Sequence, residues 1–155
     1  MIHRIDDELE IPSSDVTSFV FERADEYPDR PAMVDGPSGR VLTYADLRRQ
    51  IRALGAGLTE RGFEKGDVLA VYMPNTPEYA VAFHGAAAIG AKCTTVNPLY
   101  TANELAHQLT DSRARMLLTV TSFLDAGLDA AERAGIGDQV FVLGDAEGAA
   151  GSFAD

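Results

Sequence analysis

From residue 68 to residue 143 the sequence alternates short apolar runs with longer segments of helical pattern. Several of the short runs are continuously apolar, which is typical of strands buried on both faces of a parallel sheet. This alternation constrains the fold strongly, because parallel neighbours need a crossover connection, usually a helix. It predicts an α/β domain with a mainly parallel sheet flanked by helices. The strands are expected at 68–73, 92–96, 116–120 and 139–143, and the helices at 78–89, from 101 onward and at 122–133.

Upstream of this alternation the sequence predicts two further helices and a hairpin. An N-terminal helix is expected from Asp15, which can cap it, to about residue 27. Strand-like residues 32–34 and 40–43 flank a glycine-rich turn, a pattern typical of a short β-hairpin. A capping box that begins at Thr43 then precedes an apolar stripe with helical spacing, which predicts a long amphipathic helix.

The two ends of the chain lack these patterns. Residues 1–14 are polar and show no periodicity, so we expect a flexible arm. Residues 144–155 are small and acidic, so we expect a linker or a frayed end. A single α/β unit over residues 15–143 is the predicted domain organisation.

Charge and composition exclude several classes of protein. The net charge of −11 argues against nucleic-acid binding, which requires a basic surface. The acids concentrate in residues 1–30 and 121–155, whereas residues 31–120 are nearly neutral. The single cysteine argues against a disulfide framework, and no apolar stretch has the length of a transmembrane segment or a signal-peptide core. We therefore expect a cytoplasmic protein.

Residues 85–92, GAAAIGAK, resemble the glycine-rich phosphate loop of nucleotide-binding proteins in spacing. Ala91 separates the second glycine from Lys92, however, and the segment ends the predicted helix 78–89 instead of following a strand. Because that helix is apolar or small around most of its circumference, it should be buried on several sides. Helix packing and capping is the interpretation we favour. Gly55 lies inside the long helix, where a glycine lets another backbone approach closely.

Candidate nucleophiles and metal ligands are few. Ser38 lacks the G-x-S-x-G spacing of a hydrolase, and Cys93 begins a predicted buried strand, where an inert core thiol is expected. His84 lies in the predicted buried helix, so we favour a hydrogen-bonded packing role over catalysis. His3 and His107 are expected at the surface. Three scattered histidines and one cysteine do not form a metal site.

Arg48, Arg49 and Arg52 lie away from the apolar stripe of the long helix. They could contact a phosphate, but a solvated helix face that balances the nearby acids is the interpretation we favour. The residues alone therefore indicate an α/β domain without a self-contained catalytic site.

Three stretches together carry a family resemblance. The LTY motif is LTYADL at residues 42–47, and the PN motif is VYMPNTPEY at residues 71–79. The NP motif is NPLYTANEL at residues 97–105, preceded by GAAAIGA at 85–91. In this order they resemble the start of the adenylate-forming (AMP-binding) superfamily, in the acyl- and aryl-CoA ligase branch that includes 4-coumarate–CoA ligases and long-chain acyl-CoA synthetases.

The resemblance implies that this chain is the N-terminal subdomain of a longer ligase. Such a parent uses ATP and Mg²⁺ to convert a carboxylic acid to an acyl-adenylate, then transfers the acyl group to coenzyme A. In that family the phosphate loop, the adenine and ribose contacts and the catalytic lysine come after the matched region. The resemblance therefore assigns no catalytic, cofactor-binding or metal-binding residue here. Four motif positions are expected to be structural: Thr43, Tyr44, Asn97 and Pro98.

Further expectations follow from the same resemblance. The isolated chain should be inactive, bind no cofactor, and expose an apolar patch through which copies self-associate. Its partners would be the remaining subdomains of the parent, with the acid substrate and coenzyme A bound by the whole protein. The alternative is a free-standing α/β binding or interaction module without catalysis. A small nucleotide-binding protein is disfavoured by the absent glycine motifs.

Overall fold

The structure is a computed structural model that describes residues 11–143, 149 and 151–152. The described part contains five α-helices: α1 (Val16–Val20), α2 (Tyr44–Glu60), α3 (Pro77–Ala88), α4 (Ala102–Ser112) and α5 (Leu124–Ala134). It contains seven strands: β1 (Pro31–Val34), β2 (Val41–Thr43), β3 (Val68–Tyr72), β4 (Lys92–Thr95), β5 (Met116–Val120), β6 (Val140–Leu143) and β7 (Gly151–Ser152). The predicted α/β class is confirmed.

The main sheet is parallel, in the order β4-β3-β5-β6-β7. Helices α3, α4 and α5 connect its successive strands from β3 to β6, as the alternation predicts. Strand β7 is an addition, because it lies within the stretch 144–155 that we predicted as a linker or frayed end. A glycine and a serine carry no apolar pattern, so pairing with β6 alone defines this strand. The rest of that stretch, apart from Ala149, and most of the predicted arm 1–14 lie outside the described residues.

Burial follows the position of each strand in the sheet. All five residues of β3, which has a neighbour on each side, are buried. Strand β4 lies at the sheet edge, and its end residues Lys92 and Thr95 are exposed. The expectation that β4 is a buried strand is therefore wrong. Its polar composition, KCTT, agrees with an edge position, where one side of the backbone faces no neighbour.

The predicted hairpin is formed by β1 and β2, which pair antiparallel with Val34 opposite Val41. It packs beside α2 and α3 through a small apolar cluster around Leu42, Leu47 and Ile51. Two larger clusters fill the two faces of the sheet. One lies under α4 and α5, and the other joins α3 and the end of α2 to the opposite face.

The capping predictions for α2 and α4 are confirmed. Thr43 and Asp46 exchange backbone and side-chain hydrogen bonds at the start of α2, and Thr101 and Glu104 do the same at α4. Each capping box satisfies amide groups that a helix end would otherwise leave without partners. These boxes place the helix starts directly after β2 and after the β4–α4 loop.

Helix α1 is much shorter than predicted. It begins after the Asp15 cap, as expected, but ends at Val20, and a separate turn of 3₁₀ helix follows at Ala24–Glu26. None of its five residues is buried. Because most helical stability in proteins comes from packing an apolar face, a mostly exposed segment with two valines and a threonine does not extend further.

Helices α2 and α3 approach each other closely where Gly55 faces Gly85. A Cβ atom on Gly55 would lie 3.2 Å from Cγ2 of Ile89 and 3.4 Å from the carbonyl oxygen of Gly85. A Cβ atom on Gly85 would lie 2.7 Å from Cδ2 and 3.1 Å from Cβ of Leu54. The predicted role of Gly55 in a close backbone approach is therefore confirmed, and Gly85 takes part in the same contact.

We expect Gly85→Ala to destabilise the domain by about 1–2 kcal/mol. Overpacking costs roughly 1–3 kcal/mol, which exceeds the gain of up to about 1 kcal/mol from replacing a helical glycine with alanine. Urea unfolding would measure the change. In a double-mutant cycle, Leu54→Ala should cost less in the Gly85→Ala background than in the original protein, because it removes the Cγ and Cδ2 atoms that the new methyl group meets.

Gly57→Ala is the matched control on α2, since its Cβ would meet only Nη1 of Arg61 at 3.5 Å. This variant should be as stable as the original or more stable. Equal stabilities of the Gly85→Ala and Gly57→Ala variants would contradict the prediction, because they would show that the α2–α3 contact tolerates an added methyl group.

Candidate functional site

The PN and NP motifs lie together at the carboxyl edge of the parallel sheet. The chain passes from β3 to β4 on one side, then returns past β3 to β5 on the other. This reversal of strand order creates a topological switch point between β3 and β5, where ligands of open α/β sheets commonly bind. The loops that follow β3, β4 and β5 therefore define the candidate site.

Three hydrogen-bonding or aromatic contacts hold these loops together. The Tyr72 hydroxyl, at the end of β3, donates to the carbonyl oxygen of Tyr100 at 3.0 Å. The Thr119 hydroxyl on β5 donates to the carbonyl oxygen of Tyr72 at 2.8 Å. The Phe123 ring lies against the Tyr72 ring, with centroids 5.0 Å apart. Burial raises the pKa of Tyr72, so its hydroxyl stays a donor. No periodic pattern in the sequence indicates these long-range contacts.

The NP motif forms a fixed turn, as expected of Asn97 and Pro98. The Asn97 side-chain oxygen accepts from the amide of Leu99 at 3.0 Å, and its carbonyl accepts from the amide of Tyr100. This is the short-range side-chain bonding that asparagine supplies in turns. Leu99 at the tip of the turn is 87% exposed.

Positions 43 and 44 of the LTY motif have structural contacts. Thr43 caps α2, and the Tyr44 amide donates to the carbonyl oxygen of Arg30 at 3.1 Å. Hydrogen bonds from the Thr43 side chain, then from Arg49, lower the pKa of Asp46. The motif therefore fixes the junction between β2 and α2.

Glu78 of the PN motif is a functional-site candidate that the sequence reasoning missed. It is the one buried charged side chain among the described residues, 6% exposed, and it pairs with Arg40 just before β2. Its place in the first turn of α3 suits a carboxylate, because helix N-termini favour negative charge. The pair joins the hairpin to the start of α3. Sequence spacing could not show this, since 38 positions separate the partners.

The side chains singled out earlier do not assemble into a second site. Gly85 lies within α3 and packs against α2, and Gly90 follows the end of this helix with a φ of 76°. Lys92 is exposed at the sheet edge. Residues 85–92 therefore form no phosphate loop. Cys93 is half-buried, and burial raises its pKa to about 11, which keeps the thiol protonated and weakly reactive.

The arginine cluster contributes to surface ion pairs. Arg48 pairs with Asp25 near the start of α2, and Arg49 pairs with Asp46 at 2.8 Å. This agrees with a charged helix face that balances nearby acids. Among the described residues, no group of three histidine, cysteine or acidic side chains could hold a metal ion, and no helix is long and apolar enough to cross a membrane.

His84 has the predicted packing role. A hydrogen bond of 3.0 Å joins its Nδ1 to the Thr17 hydroxyl, and the Phe21 ring meets the imidazole edge-on at 5.1 Å. These contacts hold the exposed residues in and directly after α1 against α3. Burial lowers the pKa of His84.

The comparisons with known proteins identify the family. The chain belongs to the AMP-binding enzyme family, whose model matches residues 20–151. It is 38% identical over 108 residues to "4-coumarate--CoA ligase CCL1" of Humulus lupulus, which covers 70% of this chain and 20% of that protein. It is 39% identical over 114 residues to "4-coumarate--CoA ligase 4" of Arabidopsis thaliana, covering 71% of this chain and 20% of the relative.

A solved structure shares the fold. The benzoate CoA ligase from Burkholderia xenovorans superposes with a TM-score of 0.78 at 24% identity, over 84% of this chain and 26% of that one. The chain thus spans about a fifth of the length of its curated relatives. The predicted resemblance to this family is confirmed, and the match covers only part of each relative.

We expect stability to fall between about pH 7.5 and pH 5.5 because of His84. A histidine whose folded pKa lies below its unfolded value of about 6.5 binds its proton mainly after unfolding. Its contribution is therefore complete above that value and is lost as the pH falls toward the folded pKa. Urea midpoints across this range measure the slope.

The His84→Gln variant should lose this slope. Carboxylates with lowered pKa, such as Asp46, stay ionised throughout the range and do not contribute. An equal slope in the His84→Gln variant would contradict the assignment.

Proposed function

We propose that the chain is the N-terminal part of an ATP-dependent acyl- or aryl-CoA ligase. The similarity to 4-coumarate–CoA ligases over about 70% of the chain carries this proposal. In the first step the substrate carboxylate attacks the α-phosphorus of ATP, which forms the acyl-adenylate and releases pyrophosphate. In the second step the thiol of coenzyme A attacks the acyl carbon, which forms the thioester and releases AMP and a proton.

The loops of the candidate site do not fit the phosphates of ATP or a magnesium ion. The three loops of the candidate site, 73–76, 96–101 and 121–123, contain no lysine or arginine. Stabilising charge on a reacting phosphate needs cationic or metal groups aimed at it. No carboxylate cluster for a metal lies among the described residues. This supports the proposal that the phosphate contacts and Mg²⁺ ligands belong to other parts of the parent.

The role proposed for this chain is to build one wall of the parent's active site. The Tyr72–Tyr100 hydrogen bond and the Asn97 turn fix the loops at the carboxyl edge of the sheet. Fixed loops position a ligand without an ordering cost at the moment of reaction. No residue of the chain is assigned a catalytic role. A cytoplasmic location, with access to ATP and coenzyme A, belongs to the same proposal.

We expect residues 1–155 to show no melting shift with millimolar Mg-ATP and no pyrophosphate exchange with any carboxylic acid. A ligand at a hundredfold excess over its Kd would stabilise the folded state by about 2.7 kcal/mol, which raises Tm by several degrees in a domain of this size. A polypeptide that includes the following residues of the same reading frame should show both effects. The acids to compare are 4-coumarate and a long-chain fatty acid.

Lys92→Ala is the control variant, since Lys92 ends the segment whose spacing resembles a phosphate loop. A melting shift in residues 1–155 that Lys92→Ala abolishes would contradict the proposal. A reading frame that stops near residue 155 would favour the alternative, a free-standing binding or interaction module.

A further inference from the structure

Helix α1 and the residues beside it are attached to the rest of the domain mainly through one side chain. We call residues 15–23, which comprise α1, its cap and the three residues that follow, the α1 segment. Thr17 and Phe21 are its only residues that are not exposed. They lie four positions apart, and both contact His84 on α3. The imidazole of His84 therefore lies at the centre of this attachment.

The hydrogen bonds of the α1 segment show the same limited attachment. The Thr17 hydroxyl lies 3.0 Å from Nδ1 of His84 and donates to the His84 carbonyl oxygen at 3.3 Å. Apart from these two contacts, the hydrogen bonds of the segment within the described part of the chain stay between residues 15 and 27. Both hydrogen-bonding contacts that tie the segment to a distant element therefore end at His84.

The chain is anchored again directly after the α1 segment. Ala24 is buried, and the carbonyl oxygens of Pro28 and Arg30 accept from the amides of Ala45 and Tyr44 at the start of α2. The segment can therefore leave α3 while the hairpin and α2 keep their contacts. A mostly exposed segment with few distant contacts is the kind of unit that opens locally at low free energy.

The imidazole of His84 is poorly placed to carry a charge while the α1 segment covers it. Phenyl rings of Phe21 and Phe83 lie with their centres 5.1 and 5.2 Å from the imidazole centre, and neither ring is a counter-charge. Burial lowers the pKa of His84. The hydrogen bond to Thr17 can survive protonation, because a hydroxyl oxygen also accepts from Nδ1–H. The cost of protonation therefore comes from keeping a charged ring away from water.

Charged side chains occur on the elements that pack against α3 and on α3 itself. They are Asp15, Glu22 and Arg23 in the α1 segment, Asp46, Arg48, Arg49, Arg52 and Glu60 on α2, Lys92 on β4, and Glu78 on α3. Several have partners of their own, since Glu78 pairs with Arg40 and Arg48 pairs with Asp25. Burial is what lowers the pKa of His84, so these charges do not compensate for the loss of water.

We propose that His84 is a pH-sensitive switch whose protonation releases the α1 segment from α3 while the rest of the domain stays folded. The neutral ring keeps the segment closed above about pH 6.5, and the open state gains the proton below it. Because one proton is taken up, the opening equilibrium rises by at most about tenfold per pH unit. This inference goes beyond the proposed function and does not depend on it, since every group involved lies in this chain.

Hydrogen exchange of residues 1–155 measures the opening. The amides of Phe19 and Phe21 are bonded within the α1 segment, and a helix of five residues does not persist once it is released. Their protection factors should fall at least about twofold from pH 7.5 to pH 5.5, and by no more than about tenfold per pH unit. Low urea should reduce the protection of amides in the middle of α2 and leave that of Phe19 and Phe21 nearly unchanged, because local release exposes little surface. Equal protection and equal urea dependence of the two sets would show unfolding of the whole domain and overturn the inference.

His84→Gln is the variant that removes the titration. Its amide side chain can still form a hydrogen bond with Thr17, but it takes up no proton. Protection of Phe19 and Phe21 should then be the same at pH 7.5 and pH 5.5. A loss of protection at pH 5.5 that persists in this variant would assign the effect to another group and overturn the proposal.

An NMR titration of the His84 ring gives a second measurement, because the coupling between closure and protonation is reciprocal. Phe21→Ala weakens closure and should raise the pKa of His84 toward about 6.5. Phe19→Ala is the matched control, since the Phe19 ring lies on α1 and is 53% exposed, and it should leave this pKa unchanged. An ordinary pKa of His84 in the original protein, or an unchanged pKa in the Phe21→Ala variant, would overturn the switch.

Discussion

The structure depends on burying β3 on all sides. Each residue of this strand is buried, with β4 and β5 paired to its two edges and helical layers on its two faces. A buried peptide group without a hydrogen-bond partner is costly, so a strand in this position must be paired along both edges. The close α2–α3 contact, the position of α4 and the loops of the carboxyl edge all follow from how that central strand is covered.

The family motifs act in this chain mainly as local folding signals. The LTY motif supplies the cap of α2, and the PN motif supplies the proline that starts α3 and the carboxylate that binds the hairpin. The NP motif supplies the asparagine turn and leads into the cap of α4. Each motif sets the junction of a strand and a helix. This explains how a stretch with no catalytic residue assigned to it can still identify the family.

The features predicted from the sequence are those encoded by residues close together in the chain. Strands β3 and β5 carry continuous apolar runs, and the capping boxes at Thr43 and Thr101 mark the starts of α2 and α4. Long-range pairings were missed. Arg40 and Glu78 meet across 38 positions, Tyr72 and Tyr100 across 28, and neither pair leaves a periodic pattern. The predicted length of α1 was too great, because the apolar spacing does not reveal that these residues stay outside the core.

The strand order has a consequence for synthesis on the ribosome. After β3 and β4 pair, the strands β5, β6 and β7 join one after another at the same growing edge, in the order in which they are translated. Each new strand can therefore pair with a strand that has already been synthesised, which suits folding during translation. Until β5 joins, one edge of β3 has no partner strand, and this interval is when a chaperone would have most to protect.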